Sequence, residues 1–259
     1  MKTRIVFIGA GPAAVTAVET LRTYDQESEV TMLSAEPYPP YSPPAMVDHF
    51  LRNSNAHLWL DDGWADRLGV NYRQGIYVVR IDPQEKDVFT TADGSISYDR
   101  LVIATGSRLY APLEGVEKPG VYNFKSLTAA EELVGKVSSG EVKTALIVGA
   151  GFIGMEIALL LRELGVEVTQ LEMLDQVMTA MLDAQTAEFA LEFMRRRGIT
   201  VHLNTKAVAF TGEEQVNSVT LESGDSIEAD IFIAATGVHP NMELLEGSGL
   251  EHDWGIVVN

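Results

Sequence analysis

Two short stretches, Gly9-Ala10-Gly11-Pro12-Ala13-Ala14 and Gly149-Ala150-Gly151-Phe152-Ile153-Gly154, carry the residue types and spacing by which a backbone can hold a diphosphate. In such a turn the first glycine permits a tight bend, the second lets the main chain approach the pyrophosphate, and the third small residue packs the next helix on the strand. The helix amino end then offers unpaired N–H groups and a positive dipole end, favouring an anion by roughly 0.3 to 1 kcal/mol when the charge is partly exposed. A single match is weak, because glycine-rich turns between strand and helix often do nothing but turn. Two matches 140 positions apart imply two dinucleotides held at once, and the plainest reason to hold both is to pass electrons between them.

Such a site also needs an acid at the end of the next strand. Glu172 ends the segment Gly165 to Glu172, 23 positions after Gly149, and Glu36 follows Glu29 to Ser34, a slightly late 27 positions after Gly9. A carboxylate there accepts from both ribose hydroxyls and repels a 2′-phosphate, and Met173, Leu174, Asp175 and Gln176 supply no arginine to reverse that preference, so NADH is expected over NADPH. Acids after strands are more commonly solvated loop residues; position within the motif favours ribose binding for both. Glu156, near the amino end of the second helix, reads equally well as a contact near the nicotinamide or as a plain dipole partner.

Several other chemistries have no residues to carry them. The chain has no cysteine, which removes disulfides, thiolate nucleophiles, cysteine-ligated clusters and a redox dithiol, so redox chemistry must reside in a bound cofactor. Histidines 49, 57, 202, 239 and 252 show no metal-ligand spacing, and no Gly-x-Ser-x-Gly elbow is present. With 19 basic and 37 acidic side chains, the net charge of −18 disfavours nucleic acid and anionic membrane surfaces as partners. The longest apolar stretch, Ala145 to Leu161, is broken by glycines and Glu156 and is too short and polar for a bilayer span. A cytoplasmic location is expected by default.

The elements that must position these residues are themselves duplicated. Arg4 to Ile8 and Thr144 to Val148 are apolar strands leading into the glycine turns, and helix-forming residues follow each turn. Asp99 to Gly106 is echoed by Asp230 to Gly237, each an apolar strand ending in Ala-Thr-Gly. Between turn and final strand lie β-branched segments broken by turn signals: Ile76 to Asp82, Val88 to Thr91 and Ile96 to Tyr98, then Ala207 to Phe210, Val216 to Glu222 and Ile227 to Ala229. The expected fold is α/β, with two Rossmann-like domains, each a three-layer parallel-sheet unit carrying a small β-meander. The expected division is 1–111, 112–238, and a segment 239–259 that begins a return to the first domain. Pro37 to Pro44 reads as a stiff extended segment beyond the second strand, placed to lie along a ligand leaving the first turn. Met173, Met178, Met181, Leu182, Phe189, Phe193 and Met194 read as core or interface packing, and Arg195-Arg196-Arg197 before Gly198 as a helix carboxyl end.

Together, Gly9-x-Gly11-x-x-Ala14, Tyr98-Asp99-x-Leu101-Val102-Ile103-Ala104-Thr105-Gly106-Ser107, Gly149-x-Gly151-x-x-Gly154-x-Glu156 and Ala235-Thr236-Gly237-Val238-x-Pro240-Asn241 resemble the pyridine nucleotide-disulfide reductase superfamily over nearly the whole chain. The resemblance implies the FAD/NAD(P)-binding domain fold, with FAD in the first copy and NAD(H) in the second. It implies FAD contacts from Gly9, Gly11, Pro12, Ala13, Ala14, Glu36, Ser42, Pro43, Ala104, Thr105 and Gly106. For NAD(H) it implies Gly149, Gly151, Phe152, Ile153, Gly154, Glu156, Glu172, Thr236 and Gly237, with Glu156 near the nicotinamide. Tyr41-Ser42-Pro43-Pro44-Ala45-Met46 is most similar to the flavin-side segment of NADH oxidases, rubredoxin or ferredoxin reductases and the amino-terminal part of nitrite reductase large subunits.

Two departures shape the expected function. Where NADH oxidases and coenzyme A disulfide reductases place a redox cysteine, this chain has Pro43 or Pro44, so disulfide reduction loses support and direct transfer from FAD to an external acceptor is left. Relatives continue past Asn259 with a strand ending in Gly-Asp that contacts the flavin, so the FAD site is expected to be incomplete within these residues. The reaction expected is hydride from NADH to FAD, then electrons to an unidentified acceptor: a redox protein, a fused domain or oxygen, with no catalytic side chain required. A second copy of the chain is a further candidate partner. The rival reading is a sensor or scaffold that binds NADH or FAD without turnover.

Overall fold

The computed structural model describes residues 1–92 and 94–258, so Asn259, the last residue of the expected return segment, lies outside the described residues. The chain opens with β1 (Arg4–Ile8), an apolar run buried from Ile5 to Ile8, as a central parallel strand with both faces covered must be. Helix α1 (Pro12–Tyr24) starts with proline at its first position, where a missing N–H and a fixed φ cost nothing. Then come β2 (Glu29–Leu33), α2 (Met46–Arg52), α3 (Trp64–Arg67), β3 (Val70–Arg73), a meander of β4 (Val78–Asp82), β5 (Asp87–Thr90) and β6 (Gly94–Ser97), and β7 (Arg100–Ile103). The parallel sheet has the order β3-β2-β1-β7, and the meander is antiparallel. The proline-rich segment tightens at its end into a 3-10 turn over Pro43–Ala45, closed by the Ala45 N–H on the Ser42 carbonyl.

After β8 (Ser107–Tyr110) and β9 (Val121–Tyr122), the scheme repeats. The elements are α4 (Leu127–Ser138), β10 (Thr144–Val148), α5 (Phe152–Glu163), β11 (Glu167–Leu171), α6 (Ala184–Arg196), β12 (Thr200–His202), the meander β13 (Ala207–Thr211), β14 (Ser218–Leu221) and β15 (Ser226–Glu228), then β16 (Ile231–Ala234) and β17 (Gly237–Pro240). The second sheet runs β12-β11-β10-β16-β9, all parallel. The two central registers match residue for residue: Arg4 to Ile8 pairs Glu29 to Leu33, and Thr144 to Val148 pairs Glu167 to Leu171. The expected strand from Val216 begins only at Ser218, because the Val216 N–H leaves the ladder for the Pro119 carbonyl while its side chain enters the core.

Strand alternation explains the layers. On β1, Ile5 and Phe7 join Ala14 and Val18 of α1, Trp64 and Val70 in one core, while Val6 and Ile8 join Val78, Ile81 and Val88 of the meander with Met242, Leu244 and Leu245 in the other. In the second half, Leu146, Val148 and Phe232 pack on Phe210, Val216 and Val219 of its meander.

The chain divides into two compact units: Met1–Ala45, Asn55–Ser107 and the segment from Pro240 on, then Met46–Ser54 with Arg108–His239. A single cut near residue 111 misses that α2 belongs with the second unit. There it packs on α5 and α4, with Met46 buried and the Phe50 ring 6.0 Å from that of Phe124. Of the apolar residues read as packing near α6, Met194 is buried, whereas Phe189 and Phe193 are exposed, Phe189 at 65%. The three arginines do close α6, Arg195 and Arg196 in its last turn and Arg197 as its cap, with Gly198 left-handed at φ +78°.

Candidate functional site

Each glycine turn is shaped by the Ala-Thr-Gly strand end beside it. Gly9 has φ +106°, and a Cβ there would lie 2.1 Å from the Ala104 carbonyl oxygen; Gly149 has φ +107°, and its Cβ would lie 2.4 Å from the Ala235 oxygen. Both positions therefore exclude any side chain, by conformation and by contact. The Ala104 N–H donates to Ile8 and the Ala235 N–H to Val148, at 2.8 and 2.7 Å, which brings the two motifs of each half together. Gly11 and Gly151 adopt extended backbone with nothing within 4 Å of a Cβ position. Open space thus faces the main chain at the position where the motif expects a ligand.

The helices that follow differ from α4 and α6 at their amino ends. Ser126 caps α4 through the Ala129 N–H and Asp183 caps α6 through the Thr186 N–H, but α1 and α5 begin at Gly11 and Gly151 without a side-chain cap. Their first N–H groups remain for an anionic ligand. The residues present therefore fit a diphosphate at both turns. Ala14, fully buried, packs α1 at the third motif position. Gly154 does so for α5, where a Cβ would come 2.3 Å from the Gly149 oxygen. Pro12 and Ala13 are exposed and line an apolar hollow of 820 Å³ with Thr16, Ala17 and Val102. Phe152 is 50% exposed at the start of α5, and Ile153 half-buried.

The acids are arranged differently in the two halves. Glu172 lies directly on its glycine turn: one carboxylate oxygen accepts from the Ala150 N–H at 2.8 Å and the other from the Leu174 N–H at 3.1 Å. The matching place after β2 is held by Ser34, whose hydroxyl accepts from the Glu36 N–H. Glu36 stands two residues farther on and accepts from the Tyr41 hydroxyl. Ser42 donates its N–H to the His57 carbonyl at 2.7 Å, which fixes the segment containing Pro43. Glu156 is half-buried on α5, and burial first, then the Asp48 carboxylate of α2, push its carboxyl above the ordinary value of 4.5.

Thr105 and Thr236 spend their hydroxyls on the fold, donating at 2.7 Å to the Asn241 and Tyr110 carbonyls. Gly106 turns left-handed at φ +68°, while Gly237 opens β17. Asn241 was not among the expected site residues, yet its amide donates to the Thr105 carbonyl at 2.8 Å and its N–H to that of Gly106 at 3.0 Å. Asp230 is another: one oxygen accepts from the Lys143 and Thr144 N–H groups at the start of β10. Gln170, fully buried on β11, donates to the Gly149 carbonyl at 2.9 Å. A polar residue at an inward strand position was the signal for it. Among the described residues no group of three or more histidine, aspartate or glutamate side chains could hold a metal ion, and no helix is long and apolar enough to cross a membrane.

The chain is similar in sequence and in fold to known proteins. The chain is 29% identical to the "Assimilatory nitrate reductase electron transfer subunit" of Bacillus subtilis, over 100% of this chain and 34% of that protein. It is 32% identical to rhodocoxin reductase of Rhodococcus erythropolis, over 98% of this chain and 60% of that protein. The crystal structure of a ferredoxin reductase from Rhodopseudomonas palustris superposes with a TM-score of 0.86 at 25% identity, covering 99% of this chain and 64% of that one. The chain thus spans about a third to two thirds of these proteins' lengths. The model of the family described as "Pyridine nucleotide-disulphide oxidoreductase" matches residues 3–259, a span that takes in both glycine turns and both Ala-Thr-Gly strand ends, and the chain belongs to that family.

Proposed function

We propose that this chain is the dinucleotide-binding part of an FAD-dependent NADH oxidoreductase, with FAD held by residues 1–111 together with the segment after 239, and NADH by 112–238. The observation that carries the reading is the pair of glycine turns, each with an uncapped helix behind it and open space before its second glycine. The relatives' names, which include reductases of rhodocoxin and rubredoxin, support transfer to a small redox protein, with a fused domain and oxygen as the other acceptors.

In this reading the α1 and α5 N–H groups hold the two diphosphates. Glu36 and Glu172 accept from the two adenosine riboses. Glu172 already takes the Ala150 N–H, so its carboxylate is oriented before ligand arrives, and its charge repels a 2′-phosphate. Ser42, Pro43 and Ala104 to Gly106 line the flavin side, and Phe152, Ile153, Glu156, Thr236 and Gly237 the nicotinamide side. Bound FAD supplies the chemistry, accepting hydride from the nicotinamide and releasing electrons. With no cysteine among these residues, none of their side chains would serve as a thiol relay between bound FAD and an acceptor.

The test is anaerobic addition of NADH to the FAD-reconstituted protein. The flavin absorbance band bleaches if the reading holds. A yellow protein that NADH leaves unbleached is a binder without turnover, and that result overturns the oxidoreductase assignment.

A further inference from the structure

The two halves contain almost the same inner strand. β2 reads Glu29-Val30-Thr31-Met32-Leu33 and β11 reads Glu167-Val168-Thr169-Gln170-Leu171, in the same register against their central strands. Both inner side chains are fully buried. The sheet is built equally well with an apolar thioether at this place, so the amide of Gln170 answers a need specific to the second half.

That need is the peptide joining Gly149 to Ala150. Gln170 Nε2 donates to its carbonyl at 2.9 Å, and Glu172 accepts from its N–H at 2.8 Å. Residues 170 and 172 lie on one face of the strand by alternation, so a single peptide plane is gripped from both ends. The flanking groups are held too: the Gly149 N–H donates to Leu171 and the Ala150 carbonyl accepts from Met178. The Gly149 carbonyl can only accept, so the nitrogen of the Gln170 amide must face it. This leaves Oε1 buried without a partner among the described residues, a cost that an apolar residue would avoid. Gly154 belongs to the same device, because a Cβ there would meet the Gly149 oxygen at 2.3 Å and Gln170 Nε2 at 3.1 Å. The first half has alanine at that position and methionine below it, and neither Met32 nor Ser34 can reproduce the grip.

We infer that Gln170 is a positioning residue for nucleotide specificity: through the Gly149–Ala150 peptide it orients the Glu172 carboxylate that reads the ribose. The inference rests on the second half being the NADH site. Gln170 touches no ligand in this scheme, and its effect passes wholly through Glu172.

The test combines two measurements on the full chain. Calorimetry with NADH and NADPH on wild type, Gln170→Met, Glu172→Ala and the double variant reads the coupling. Gln170→Met lowers NADH affinity about three- to tenfold, the range expected for one buried hydrogen bond, and changes NADPH affinity less. In the Glu172→Ala background the same change has no further effect on NADH. Equal losses for both nucleotides, or additive losses in the double variant, overturn the inference. Separately, NMR of the nucleotide-free protein follows hydrogen exchange at the Ala150 amide. This N–H is protected in wild type by its bond to Glu172 and exchanges severalfold faster in Gln170→Met; unchanged exchange overturns the grip. A grip that behaves as expected beside equal NADH and NADPH affinities in wild type overturns the NADH reading instead. Gln170→Leu, of similar volume, serves both measurements if the methionine variant does not fold.

Discussion

At the residue scale, glycine and acid positions make up most of the candidate site, and the local geometry of the glycines was the most legible part of it. Gly149 must be glycine twice over, by its φ of +107° and by the 2.4 Å approach of the Ala235 oxygen to a Cβ position. Gly149→Ala is therefore expected to destabilise the second unit by about 1–3 kcal/mol and to abolish NADH binding, read by thermal melting and calorimetry. Gly151 offers open space instead, so Gly151→Ala should fold normally and lose affinity alone. Glu156 is tested by pH. Burial and Asp48 raise its carboxyl above 4.5, so the folded state favours the protonated form, and that contribution to stability is lost as pH rises through the raised value. Glu156→Gln is expected to melt at the wild-type temperature below pH 4.5 and above it at pH 8; identical melting at both would remove the cause assigned here. The sequence pointed to Glu172 because motif spacing reaches it, whereas Gln170 showed only as a polar residue at an inward strand position and Asn241 only as the end of a motif, neither with its role. Their bonds reach the Gly149 carbonyl and the Thr105 turn, contacts between segments that no local pattern encodes.

At the scale of elements, strands and helices follow from apolar runs and punctuation, while the smallest pieces do not. β1, β10, β2 and β11 were plain from periodicity, and the two meanders from turn residues. β9, two residues long, and β12, three, are too short to show alternation and exist only because neighbouring strands offer an edge. The expected division put residues 46–54 in the first domain, yet α2 packs with α4 and α5; which unit buries Met46 is decided by tertiary partners. The acids opening β7 and β16 have an element-level task that motif reading overlooked. Asp230 is held below the usual carboxylate range by the Lys143 and Thr144 N–H groups, and Asp99 by Arg4, first through its guanidinium and then its N–H. A lowered carboxyl contributes stability that is present above its ordinary value of 3.8 and lost as pH falls through the lowered one. Asp230→Asn should accordingly melt below wild type at pH 7, with the gap closing on acidification toward pH 2. A gap independent of pH would mean that the charge does nothing at the start of β10.

For the whole molecule, duplication was the clearest message of the sequence, and the division into two units follows it except at Met46–Ser54 and at the segment from Pro240 on. That last segment sends Met242, Leu244 and Leu245 into the first core, so the first unit is assembled from three separate stretches of chain. Such a layout makes folding depend on choosing between look-alikes. β2 and β11 share four of five residues and the same alignment to their central strands, so during collapse each could dock beside the wrong partner, a trap typical of tandem repeats. The one differing residue sorts them: Gln170 beside β1 would set its amide against the side chain of Ala14, where the second half has Gly154 and a Cβ would lie 3.1 Å from Gln170 Nε2. Gln170→Met erases that distinction, and on dilution from urea a larger fraction of its molecules should mature slowly than in wild type, followed by tryptophan fluorescence. Equal slow fractions would show that strand sorting is governed elsewhere. A larger slow fraction in Gln170→Met would give the residue beside the second glycine turn a further task, in the order in which the chain assembles.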